Sequence, residues 1–174
     1  MYILIYVVRV HLGVQQKMNK QSKNLAVLTE DLGLSQRSFY LIDNLNKFCR
    51  DRSAAVTCYT TSVIPPVMKA LFPFMNQYYF SSFNGTAIAT SIDTAKALIK
   101  TKNNTKRFLY LWDLEWIRKP VDFDDTCSVL RNPDINIITR SESHKKMVEN
   151  YANTTVCGIV DDWDMAQLEE LIWN

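Results

Sequence analysis

The chain has 174 residues, 47% of them hydrophobic and 22% charged, with four glycines and five prolines. That length accommodates one domain with a full hydrophobic core and is short for two, and the balance is that of a globular protein, not a disordered or collagen-like one. A formal net charge of +2 excludes the strong basic field of a dedicated nucleic-acid binder.

Residues 1–23 read as an N-terminal extension. Met1 to Val8 is almost wholly apolar, but Arg9 and His11 interrupt it, and it falls well below the ~20 residues that span a bilayer. It lacks the basic n-region and small-residue cleavage site of a signal peptide. Met18 precedes a polar run and then a clean strand, so translation starting at Met18 is the first reading. An extra edge strand and a short membrane-associating segment are the alternatives.

From Asn24 short apolar strands alternate with amphipathic helices, the pattern of a parallel sheet covered on both faces. Leu25–Thr29 is the first strand. Ser35 or Ser38 caps a helix whose apolar positions Phe39, Ile42, Leu45 and Phe48 recur at helical spacing. Ala54–Tyr59 is a second strand, and Pro65 and Pro66 suit the first turn of a helix over 65–72. Gln77–Phe80 reads as a short third strand, and Thr86–Ala89 as strand or loop. Ser91 or Asp93 starts a helix that runs to Ile99. Phe108–Trp112 is a central strand, Val121–Leu130 a helix, and Ile135–Thr139 a strand. Ser141 caps a helix over 142–151, Val156–Val160 is the last strand, and Met165–Trp173 the last helix. The expected fold is α/β: one Rossmann-like three-layer domain over residues 24–174, with a mostly parallel sheet and helices on both faces.

In open α/β sheets chemistry collects beyond the carboxyl ends of the strands, so the strand-to-helix turns carry the candidate sites. The first, Glu30 to Ser38, contains one glycine, Gly33, and therefore no dinucleotide fingerprint. Gly33 can let the backbone close on a ligand, with Ser35 and Arg37 presenting polar groups, or the turn is an ordinary capped one. After the central strand come Trp112, Asp113, Glu115 and Trp116. Either carboxylate suits general-base work on a hydroxyl, and indole faces suit sugars and bases; a core-and-cap role for the four is the alternative. Ser141 and His144 open a helix whose N–H groups suit an anion such as a diphosphate, or form an N-cap on a solvated face. Asp161, Asp162 and Asp164 could hold Mg²⁺ but more ordinarily cap the following helix; no metal site and no cofactor is expected. Lys96, Lys100, Lys102, Lys106 and Arg107 have no interleaved aromatics, as a solvated helix end would not.

The cysteines, Cys49, Cys58, Cys127 and Cys157, form no close pairs of the zinc-ribbon or redox type. Cys58 and Cys157 lie in apolar strand-like runs as small hydrophobes, which fits a cytoplasmic protein.

Taken in order, these segments resemble the N-terminal half of a GT-B glycosyltransferase, the two-Rossmann-domain class of nucleotide-sugar enzymes. The resemblance covers residues 24–174. It rests on Leu25-Ala-Val-Leu-Thr-Glu-Asp-Leu-Gly33, on Leu109-Tyr-Leu-Trp-Asp-Leu-Glu-Trp116, on Ile137-Ile-Thr-Arg-Ser-Glu-Ser-His144, and on Gly158-Ile-Val-Asp161. It implies an acceptor-binding half, shortened or split from a donor-binding second subunit, with Asp113 or Glu115 as base. Trp112 and Trp116 are then a sugar platform, and Gly33, Ser35, Arg37, Ser141 and His144 ligand contacts. A non-catalytic binding or interaction module and a small nucleotide- or phosphate-binding enzyme are the rival functions; no nucleic-acid partner and no transmembrane segment is expected.

Overall fold

A computed structural model describes residues 23–51, 54–103, 105–118 and 123–173. Apart from Lys23, the expected N-terminal extension lies outside the described residues.

Seven strands form one sheet: β1 (Asn24–Thr29), β2 (Ala55–Thr60), β3 (Phe74–Asn76), β4 (Gly85–Ala89), β5 (Thr105–Leu111), β6 (Asn136–Thr139) and β7 (Val156–Ile159). Their order is β3-β2-β1-β4-β5-β6-β7, and every pairing is parallel. The helices are α1 (Gln36–Arg50), α2 (Ile92–Lys100), the short α3 (Glu115–Arg118), α4 (Phe123–Leu130), α5 (Glu142–Ala152) and α6 (Met165–Trp173). This is the Rossmann-like three-layer domain read from the alternation, with the sheet wholly parallel.

Strand alternation divides the core between two faces, because successive side chains in a strand point opposite ways. Leu25 and Val27 of β1, with Phe108 and Tyr110 of β5, pack under α1 and α6 against Leu41, Ile42, Leu45, Leu168 and Ile172. Ala26, Leu28, Leu109 and Leu111 face the other way, under α2, α4 and α5, and meet Ala95, Leu98, Leu130 and Val148. Such near-continuous apolar strands are what a parallel sheet buried on both faces requires. Among the described residues, no helix is long and apolar enough to cross a membrane.

The chain runs outward through β1, β2 and β3, then returns across β1 to place β4 on its other side. Right-handed crossovers in the two directions put α1 and α2 on opposite faces, so the turns after β1 and β4 diverge and leave a crevice at the carboxyl edge. Gly85 makes the return possible. Its φ is +142°, and a Cβ there would stand 2.6 Å from Asn24 O, so only glycine lets β4 enter beside β1.

Four expectations are corrected. Residues 65–72 form no helix. Ile64 and Pro65 each precede a proline and are held out of the α region, and the N–H of Val67 donates to Leu32 O at 2.8 Å instead of to a helical carbonyl. The third strand lies at Phe74–Asn76, and Gln77–Ser82 is a 3₁₀ turn with Asn76 capping it through Tyr78 N. Phe39 does not join Ile42, Leu45 and Phe48 in the core; it is exposed and packs edge-on against Tyr40. Thr86–Ala89, left open between strand and loop, belongs to β4, paired on both sides. Cys58 is buried as expected, whereas Cys157, on the edge strand β7, is exposed.

Candidate functional site

The crevice between β1 and β4 is built by three turns. From β1, Thr29 Oγ1 donates to Asp31 O and the Asp31 carboxylate accepts the N–H of Gly33 at 2.7 Å, folding the turn back before α1. Ser35 caps α1 by accepting from Ser38 N at 3.0 Å. From β4, Ser91 and Thr94 form a capping box on α2. Both helix N-termini, with their partial positive charge, therefore open at this edge.

Arg37 and Glu115 face this crevice. Arg37 Nη1 lies 3.4 Å from Thr90 O, which carries the guanidinium from α1 toward the start of α2. Glu115, delivered by the turn after β5, accepts from the N–H of Ile92 through Oε2 at 3.3 Å. Burial raises the Glu115 pKa above its ordinary carboxyl value. The Ile92 N–H and Arg37 oppose that rise, while Glu30 and Asp93 add to it. Residues from four segments thus share one electrostatic site: Glu30 after β1, Arg37 on α1, Ile92 and Asp93 on α2, and Glu115 after β5. A half-buried carboxyl whose pKa is raised by burial binds a proton more readily than a free carboxylate, the direction a general base needs.

Gly33 serves the architecture of this edge. Its N–H is occupied by Asp31, and a Cβ at Gly33 would come within 2.9 Å of Ile64 Cγ2, so the glycine lets residues 61–67 lie close over the β1 turn. Thr61 N and Ser62 N both donate to Glu30 O, at 3.2 and 3.1 Å. A pocket of about 340 Å³ opens where that segment meets the ends of β2 and β3, with Leu32 of the β1 turn in its lining.

The two indoles do not form one platform. Trp112 keeps the parity of Phe108 and Tyr110 and enters the α1–α6 layer, only 3% exposed. There it contacts Tyr40 at a ring separation of 5.5 Å and carries the Arg140 guanidinium 4.1 Å over its face. Trp116 lies in the opposite layer, stacked on Tyr151 at 4.6 Å and 16°. Asp113 is half-buried between them. Ser141 caps α5 by accepting from His144 N at 3.3 Å, and its side chain also meets Ser143. The interactions described for Ser141 stay in the first turn of α5 and at the end of β6, where Thr139 Oγ1 donates to Ser141 O; none reaches Arg37 or Glu115. The Nδ1 of His144 is buried without a hydrogen-bond partner among the described residues.

At the end of β7, Asp164 caps α6 by accepting from Ala166 N and Gln167 N. Asp162 pairs with Arg140 at 2.7 Å, and Asp161 donates its N–H to Gln167. Asp162 and Trp163 both adopt positive φ, 41° and 65°. The turn is held by the buried Trp163 ring edge-on to Tyr110 at 4.5 Å, while Tyr110 donates to Val160 O at 2.7 Å. Among the described residues, no group of three or more His, Cys, Asp or Glu side chains is arranged to hold a metal ion. Lys96 pairs with Asp93 and Asp125, and Arg107 donates to Thr101 O, so much of the basic cluster is engaged within the fold.

Glu30, Thr90 and the pocket residues were not singled out from sequence. The run Val63-Ile-Pro-Pro-Val67 carried a signal nonetheless: two adjacent prolines between apolar residues cannot pair as a central strand, so exposed apolar groups were to be expected there. No protein-family model matches the sequence, and neither a curated protein nor a solved structure matches it significantly.

Proposed function

We propose that this domain is the acceptor-binding half of a sugar-nucleotide-dependent transferase, with Glu115 as the general base. The observation that carries the reading is the Glu115 carboxyl, lifted in pKa by burial and set among Glu30, Arg37 and the start of α2 at the β1/β4 crevice. The sequence resemblance to the GT-B class supplies the reaction type. Glu115 takes the proton of an acceptor hydroxyl as its oxygen attacks the anomeric carbon. The bond from that carbon to the donor phosphate breaks, and the nucleoside diphosphate leaves. Arg37 orients the acceptor or offsets the charge of the departing phosphate. The donor is held by a second, donor-binding subunit or domain.

The test is calorimetry and saturation-transfer NMR with a panel of UDP- and GDP-sugars, with and without a candidate second subunit, followed by a transfer assay. Glu115→Gln should lower the transfer rate by about 10²–10⁴-fold without lowering the melting temperature at neutral pH. A panel that yields neither binding nor transfer in any combination sinks the reading.

A second reading, a non-catalytic interaction module, draws on the edge of the sheet. Leu71, Tyr78 and Tyr79 are exposed around the short edge strand β3, a concentration of large apolar groups that soluble surfaces ordinarily cover with a partner. Under this reading transfer is absent and a stable partner is retained by the parent chain but not by Tyr78→Ser.

A further inference from the structure

We infer that the acceptor is amphipathic: a hydroxyl-bearing molecule whose aromatic or alicyclic body occupies the pocket at the ends of β2 and β3. The inference rests on the acceptor-side reading of the crevice and adds the class of acceptor.

The pocket, about 340 Å³, falls at the small end of the range for small-molecule sites and has room for a compact ring system. Its walls are Leu32 from the β1 turn, Ile64 and Pro66 from the following segment, and Phe74 and Met75 from β3. Thr60 and Asn76, at the ends of β2 and β3, and Ser62 just after β2 are its polar residues. An apolar wall with a few polar groups at one end selects a ring bearing one or two hydrogen-bonding substituents and disfavours a free sugar, whose hydroxyls would lose water without replacement. Val63, at the rim, is 96% exposed.

The walls are fixed before any ligand arrives. Thr61 N, Thr61 Oγ1 and Ser62 N all donate to Glu30 O, and Val67 N donates to Leu32 O. Farther along, the buried Asn46 of α1 donates to Lys69 O at 2.8 Å and accepts from Leu71 N at 2.7 Å. A preorganised wall loses little entropy on binding. Glu30 joins the two halves of the site, since its carbonyl holds the pocket wall and its carboxylate acts on Glu115. β2 and β4 flank β1, so the pocket over β2 and the Glu115 carboxyl over the start of α2 are offset by roughly two strand spacings, about 10 Å. A molecule with its ring in the pocket and a hydroxyl at the other end bridges that offset.

The experiment titrates the ¹⁵N-labelled full chain with 4-methylumbelliferone, a hydroxylated fused ring, and separately with methyl β-D-glucopyranoside, which has hydroxyls and no apolar body. The umbelliferone should shift the amides of Leu32, Thr60, Ser62 and Met75 and bind at least about tenfold more tightly than the glucoside. Met75→Trp, which fills the pocket from an exposed position, should weaken umbelliferone binding by about tenfold or more. Ile64→Ser, a gentler change at the rim, should weaken it by a few-fold. If both probes shift only the amides around Arg37, Thr90 and Glu115, with equal affinity in parent and variants, the apolar-acceptor inference is overturned while the acceptor-side reading stands. If neither probe shifts either region, both fall together.

Discussion

Glu115 is placed where its protonation state is coupled to folding. Burial lifts its pKa above the ordinary 4.5, so between that value and the raised one the folded protein keeps a proton that the unfolded chain has released. With more protons bound in the native state, stability falls as pH rises through that window and levels off above it. Glu115→Gln removes the titration but keeps an oxygen that can accept from Ile92 N. Thermal melts from about pH 4 to about pH 8 should therefore show the variant gaining on the parent as pH rises. A gap that stays constant across the range would mean that the folded state does not raise the Glu115 pKa. How much of this was readable beforehand differs by residue. The candidate base at Asp113 or Glu115 was visible as a pair of carboxylates just past an apolar strand. The division of the indoles was visible only in part: period-two alternation from Phe108 through Tyr110 already assigns Trp112 to their face, whereas Trp116 lies beyond the strand, where alternation no longer holds.

Among the elements, the irregular segment from Thr61 to Pro73 is where local preference and tertiary contact part company. Two prolines at a would-be helix start favour a first turn, but each also restricts the residue before it, and the N–H groups that a helix would use are taken by Leu32 and Asn46. Asn46 is 4% exposed and satisfies both Lys69 O and Leu71 N, so Asn46→Ala removes two hydrogen bonds, each contributing about 0.5–1.5 kcal/mol. The expected cost is about 1–3 kcal/mol, or a fall of roughly 2–12 °C in melting temperature for a chain of this size. Hydrogen exchange at Leu71 should accelerate by about tenfold or more if this clamp is what holds the segment. A lowered melting temperature with Leu71 exchange unchanged would mean that other contacts hold it. β4 failed to declare itself for a different reason. Gly-Thr-Ala-Ile-Ala is a poor strand former by propensity, and it is a strand because β1 and β5 pair with it on either side, leaving little room for larger side chains between two helical layers. The strands β1 and β5 and the helices α2 and α6 were legible because their signals are local: apolar runs, caps and helical periodicity.

At the scale of the whole molecule, the two apolar clusters are opposite faces of the same strands. Leu25 and Val27 belong to one and Ala26 and Leu28 to the other, and the same division recurs along β5. Neither layer of helices can leave without exposing strand residues whose neighbours in sequence are packed under the other layer. Cooperative unfolding as a single unit follows, although the chain is slightly longer than the domains for which two-state behaviour is most dependable. Both faces carry reporters. Trp112 and Trp163 lie under α1 and α6, and Trp116 stacks on Tyr151 under the other layer. With Trp116→Phe, fluorescence reports the α1–α6 layer alone; with Trp112→Phe, Trp116 contributes a signal from the other side. Urea transitions followed by fluorescence in each variant should coincide with that variant's own far-UV circular dichroism transition. The parent should give one midpoint by both probes. A fluorescence transition in the Trp116→Phe variant that precedes its circular dichroism transition would show the α1–α6 layer leaving first. The crevice at the β1/β4 edge, which needs α1 for Arg37 and α2 for Ile92, would then lose one wall before the sheet itself melts.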